Sequence, residues 1–172
     1  MKKLVALFLA IILSAGFALA EEIDLDSTSM DLSPLEYIET IAIQSINMDN
    51  LTLRYVTHED ECYNVYVDIG TEYGSSSHSF ISGLCSYTLS ICEASLQRDE
   101  INKIHVACFA QVRDKYGNLN EWLVFNIWIP RETFTLINYE YMYDKVIEDP
   151  DAVLDLAEMK SIFKAFQNYK YE

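Results

Sequence analysis

The chain has 172 residues and a formal charge of −15, with 12 Tyr and 8 Phe against only 5 Gly and 3 Pro. That length is enough for one sizeable core, the aromatic content excludes a disordered chain, and scarce Gly and Pro exclude collagen-like and flexible-linker classes. The acidity argues against nucleic acid and anionic membrane surfaces as partners.

Residues 1–20 read as a secretory signal peptide. Lys2 and Lys3 supply the basic start, Leu4 to Leu13 is an unbroken apolar run, and Ala18-Leu19-Ala20 offers small residues for cleavage. The run is too short for a comfortable membrane span, and no Cys follows it for lipid attachment. Cleavage would remove two lysines and no acid, leaving 152 residues with a charge of −17. No later segment is apolar for long enough to span a bilayer, so the mature product is expected to be secreted or extracytoplasmic. Residues 21–32 are acidic and aperiodic and read as a disordered leader. Residues 33–172 read as a single domain.

Ser33-Pro34-Leu35-Glu36 opens a helix. Ser33 suits the N-cap, Pro34 the first turn, and Glu36 completes a capping box. Leu35, Ile38, Ile41 and Ala42 carry it at helical spacing. Two alternating runs follow, Leu51, Leu53 and Tyr55, then Tyr63, Val65, Val67 and Ile69. They form a hairpin about the polar turn His58-Glu59-Asp60-Glu61. After the Gly/Ser-rich stretch 70–77, the period becomes helical from His78 to Arg98. Ile81, Leu84, Cys85, Thr88, Ile91, Cys92, Ser95 and Leu96 form one face of a five-turn helix.

A second hairpin runs from Ile104 to Val112 and from Glu121 to Ile129. Its turn is Asp114-Lys115-Tyr116-Gly117-Asn118, and Pro130 ends it. A short helix is expected over 132–138. A last helix begins at Asp149-Pro150 and runs to about Tyr169 on Leu154, Leu156, Ala157, Met159, Ile162, Phe163 and Phe166. The order β-β-α-β-β predicts an α+β fold. Two hairpins make one four-stranded antiparallel sheet, covered by the central helix, with an N-terminal helix and C-terminal helices beside it.

The DKYGN hairpin, Asp114 to Asn118, is followed downstream by Arg131-Glu132-Thr133-Phe134 and Ile137-Asn138-Tyr139. With the long helix before them, these stretches resemble uncharacterised extracellular or lipoprotein domains of Gram-positive bacteria, over roughly residues 50–143. The resemblance implies export and an α+β fold. It transfers no catalytic residue, and this chain lacks the lipid-attachment Cys of the lipoprotein members.

Four Cys sit at spacings that match no zinc pattern, and no cofactor or metal motif is present. Cys85 and Cys92 share a helix face about 10 Å apart along the axis, too far for a mutual bond. Cys108 has the parity to meet either one, so a bridge from Cys108 to Cys85 or Cys92 is the sharp expectation, with buried thiols as its rival. His58 lies in the acidic turn. His78 lies among serines without a nucleophile-elbow motif. His105 and Cys108 should point to opposite faces of their strand. No catalytic constellation emerges.

Phe109, Trp122, Trp128, Tyr66 and His105 should share the second face of the sheet. The leading or C-terminal helix is its natural cover, since monomers rarely leave large apolar patches open. Left open, it would be a binding surface, with Tyr139, Tyr141 and Tyr143 at its rim. The leading functional expectation is a non-enzymatic module that binds a protein or another extracellular ligand. The alternatives are a hydrolase using dispersed carboxylates and an acidic inhibitor of a basic target.

Overall fold

The structure, a computed structural model, describes residues 32–70, 77–113 and 116–163. The expected signal peptide, the leader up to residue 31, most of the Gly/Ser-rich stretch, Asp114-Lys115 and the end of the expected last helix lie outside the described residues.

The first helix, α1 (Pro34–Gln44), begins as its sequence dictates. Ser33 Oγ accepts from Glu36 N at 3.3 Å, and the Glu36 carboxylate accepts from Ser33 N at 2.9 Å, so two helix-start donors are satisfied. Strands β1 (Leu51–Glu59) and β2 (Cys62–Ile69) form an antiparallel hairpin. Its two-residue turn is Asp60-Glu61, both at positive φ (49° and 62°). This handedness fits the twist of the flanking strands, although neither residue is the Gly that tolerates it best. His58 and Glu59 therefore belong to the strand, not to the turn.

Helix α2 (Ser77–Ser95) follows, then β3 (Lys103–Arg113), β4 (Leu119–Pro130), the short α3 (Arg131–Phe134), α4 (Tyr139–Glu148), the short α5 (Asp151–Leu154) and β5 (Met159–Ile162). The five strands form one sheet in the order β1-β2-β3-β4-β5. The fold is α+β, but the sheet is not four-stranded and antiparallel. Strands β2 and β3 run parallel, with Val65 opposite Val106 and Val67 opposite Cys108. The cause is α2. A helix of 19 residues spans about 28 Å, returns the chain to the end where β2 began, and launches β3 in the same direction.

The fifth strand replaces the expected long C-terminal helix. Its first turn forms as α5, with Pro150 ahead of it. The chain then turns at Asp155 and pairs 159–162 antiparallel with β4, Ile162 opposite Phe125 and Lys160 opposite Ile127. Pairing the edge of β4 outweighs the helical spacing of these residues, because an unpaired strand edge leaves backbone donors and acceptors unserved.

One sheet face carries the core. Tyr63, Val65, Val67 and Ile69 of β2, Ile104, Val106 and Cys108 of β3, and Phe125, Ile127 and Ile129 of β4 are all buried. They meet Phe80, Ile81, Leu84 and Ile91 of α2, each fully buried. The flanking helices pack on α2 as well. Tyr37 of α1 donates to Ala94 O at 2.9 Å, and Tyr87 of α2 donates to Ala42 O at 2.9 Å. Tyr143 of α4 donates to Glu93 Oε2 at 2.8 Å. The buried hydroxyls of Thr88 and Ser95 bond back to the carbonyls four residues earlier. Arg131 closes the C-terminal end of α2, donating to Arg98 O at 2.9 Å and Ile101 O at 3.1 Å. Among the described residues no helix is long and apolar enough to cross a membrane.

No disulfide links helix to sheet: all four cysteines are free and buried. Cys108 has the expected inward parity, but the helix thiols point elsewhere. Cys85 Sγ lies 3.8 Å from Pro150 O, and Cys92 faces Tyr139 and Tyr143 of α4. Burial pushes the Cys62 thiol up to about 11 and the Cys108 thiol up to about 12.

Candidate functional site

Because α1, α2 and α4 stack on one side, no described helix covers the second sheet face. The expected cover is therefore absent among the described residues. The N-terminal helix α1 packs on α2 instead, whose buried surface extends around more than one stripe, and the expected C-terminal helix is replaced by α5 and the edge strand β5.

Alternation places Asn64, Tyr66 and Asp68 of β2, His105 and Phe109 of β3, and Asn126 and Trp128 of β4 on this face. Two bulges then change its membership. One between Leu53 and Tyr55 moves Tyr55 opposite Tyr66, their ring centroids 4.6 Å apart, and brings Arg54 onto the face. The other, between Cys108 and Phe109, pairs Trp122 with Ala110, one step out of phase with Phe109. Trp122 packs instead against Phe163, with centroids 5.4 Å apart. The row is thus Tyr55, Tyr66, Phe109, His105 and Trp128, without Trp122. Tyr66 lies 6.3 Å from Phe109 and meets His105 edge-on at 5.9 Å; His105 lies 4.7 Å from Trp128.

Ion pairs flank the row. At one end, the Arg54 guanidinium lies 4.6 Å from the centroid of Phe109, binds Asp68 through Nε (2.8 Å) and Nη2, and reaches Glu121 Oε1 at 2.7 Å. This cation holds the Glu121 carboxyl below the usual carboxylate range. Asp68 and Glu121 thus share one guanidinium across the sheet. At the other end, Lys103 Nζ binds Glu158 at 2.8 Å and lies 5.9 Å from the Trp128 ring.

The centre of the face is polar and connected. His105 Nδ1 lies 2.8 Å from Asn64 Oδ1, and Nε2 contacts Asn126 Oδ1. Trp128 Nε1 donates to the same Asn126 oxygen at 3.1 Å. Burial lowers the His105 pKa, and the Asn126 bond partly offsets it.

The other sequence candidates lie elsewhere. Tyr139 and Tyr143 pack on α4 against α2, on the far side of the sheet. Tyr141 is exposed and lines an apolar cavity of about 550 Å³ with Leu136, Ile137, Met142, Leu156 and Glu132. His58 stacks on Tyr63 at 4.2 Å on the helix-covered side, and His78 Nε2 sits 2.9 Å from Ile147 O. Among the described residues no three His, Cys, Asp or Glu side chains gather into a metal site. Sequence reasoning misses Tyr55 and Arg54, which only the bulge brings in. It also misses Asn64 and Asn126, although strict alternation along β2 and β4 sets both beside His105. Comparison with family models, with curated proteins and with solved structures found no match for this chain.

Proposed function

We propose that this protein is an exported, non-enzymatic binding module, and that its open sheet face holds a basic segment of a partner protein. Its main support is the row Tyr55, Tyr66 and Trp128, which every described helix leaves uncovered; Tyr55 alone is 46% exposed. Charge selects the kind of partner. The chain carries −15, and among the described side chains this face holds Asp68, Glu121, Glu158 and Glu59 beside Arg54 and Lys103, both of which are paired. Tyrosine and tryptophan faces attract Arg and Lys, most strongly where water is excluded. Aromatic side chains flanked by a polar rim are the usual anchors of protein interfaces.

The test uses residues 21–172 with two synthetic peptides, a Lys/Arg-rich amphipathic 12-mer and its Glu-substituted counterpart. The basic peptide should bind and the acidic one should not. Trp128→Ala or Tyr55→Ala should each weaken binding about tenfold, and raising salt from about 0.05 M to 0.5 M should weaken it further. If neither peptide moves the NMR signals of Tyr55, Tyr66 and Trp128, the reading fails.

A further inference from the structure

His105 is boxed between two oxygens whose orientation other groups dictate. Only 7% of it is exposed. On the Nε2 side, Asn126 Oδ1 also accepts from the Trp128 indole N–H, a group that can only donate. On the Nδ1 side, Asn64 Nδ2 donates to Cys62 O at 3.4 Å, a carbonyl that can only accept, and to Thr57 Oγ1 at 3.3 Å. Rotating the Asn126 amide would set donor against donor. Rotating the Asn64 amide would set acceptor against acceptor. Both ring nitrogens of His105 therefore face oxygens. A neutral imidazole carries one N–H and serves one of them; the imidazolium serves both.

We propose that His105 is a proton-linked positioning residue, whose protonation completes the chain Asn64–His105–Asn126–Trp128 and fixes the Trp128 ring for ligand. The consequence for binding rests on the open face being the docking surface, as argued above. The groups packed about the ring are few. From β2 come Asn64, Tyr66 and the Cys62 thiol, and from β4 Asn126 and Trp128. Beyond them on the same face lie the Lys103–Glu158 pair and Arg54 with Asp68 and Glu121. Strand β1 adds Thr57, Glu59 and Tyr55, while His58 is on the opposite face. Besides the two cations Lys103 and Arg54, the titratable groups named here are a thiol, two phenols and carboxylates, and the imidazole is the one whose ordinary range falls between about pH 5 and 7. Burial sets the midpoint below the free-imidazole value.

The experiment is an NMR titration of residues 21–172 from about pH 7.5 to 4.5, following the His105 ring and the Trp128 indole N–H, with His58 and His78 as internal comparisons. Both signals should move with one common midpoint below about 6.5. Asn126→Asp should raise that midpoint for both together, because a carboxylate favours the imidazolium. An indole signal that stays flat through the His105 midpoint overturns the proposal. A second arm measures the basic peptide at pH 5.5 and 7.5, with about tenfold tighter binding expected at the lower pH, where more of the chain has His105 charged. Equal affinity at both pH values overturns the role of His105 in positioning. A coupled titration with no peptide bound at either pH supports the proton link and instead removes the proposed function.

Discussion

The two faces of one sheet, built from alternate residues of the same strands, solve opposite problems. On the helix-covered face the central positions of β2, β3 and β4 are aliphatic, aromatic or thiol and buried, while toward the β3–β4 turn Trp122 is 47% exposed. On the open face the same strands carry rings, amides and ion pairs that satisfy one another sideways. The covered face draws its stability from apolar area removed from water. The open face keeps its groups hydrogen-bonded and partly hydrated, which lets it stay uncovered without a continuous apolar patch. Stability belongs to the first face, and the recognition proposed above to the second.

The sharpest way to break that division is to truncate one ring on each side. Phe125→Ala empties a fully buried site beneath α2 and should cost about 3–5 kcal/mol in urea unfolding. Trp128→Ala removes a larger side chain from the open face and should cost only about 1–2 kcal/mol, because one side of the ring is already in water. Comparable losses would show that the second face is part of the core.

Acid should sharpen the contrast further, by a smaller amount. The folded pKa of His105 is lowered, while the unfolded value lies near about 6.5. Below that value the unfolded chain binds a proton that the folded chain resists, so stability falls as pH drops from about 6.5 through the folded midpoint. The slope contributed by one proton is at most about 1.4 kcal/mol per pH unit. The proton that completes the network therefore also weakens the fold, because the imidazolium loses its water. Urea midpoints of the wild type should fall over this range more steeply than those of His105→Gln.

How far the sequence reveals this division depends on the backbone following simple alternation. The capping box at Ser33, the α2 stripe and the opposed directions of His105 and Cys108 are local consequences of spacing, and each can be read directly. The parallel pairing of β2 and β3 is less direct, because it depends on where α2 delivers the chain. Strand β5 is hidden because Met159, Ile162 and Phe163 recur at helical spacing and show no strand alternation, while the edge of β4 that they pair with is distant in sequence. The candidate surface is misread at the two bulges. A single added residue reverses every later parity, so Trp122 leaves the aromatic row and Tyr55 joins it. No residue type marks either bulge, since Arg54 and Val124 are ordinary strand residues.

The smallest expected effect comes from Arg54, the residue that the first bulge delivers. Its guanidinium holds Asp68 and Glu121 while covering Phe109, tying β1, β2 and β4 across β3. The geometry is extensive, but all three side chains are substantially exposed, at 26%, 40% and 46%. Solvent and salt therefore screen the pairs, and Arg54→Met should cost less than about 1 kcal/mol, since the methionine stem still covers part of Phe109. The change should instead appear in titration and recognition. Without the cation, Glu121 should return toward the ordinary range near 4.3, measurable by NMR of its carboxyl. With two unpaired acids on the face, the basic peptide should bind more tightly at low salt, an advantage that shrinks as salt rises. A large loss of stability without that titration shift would make Arg54 part of the scaffold and move the boundary between the two faces.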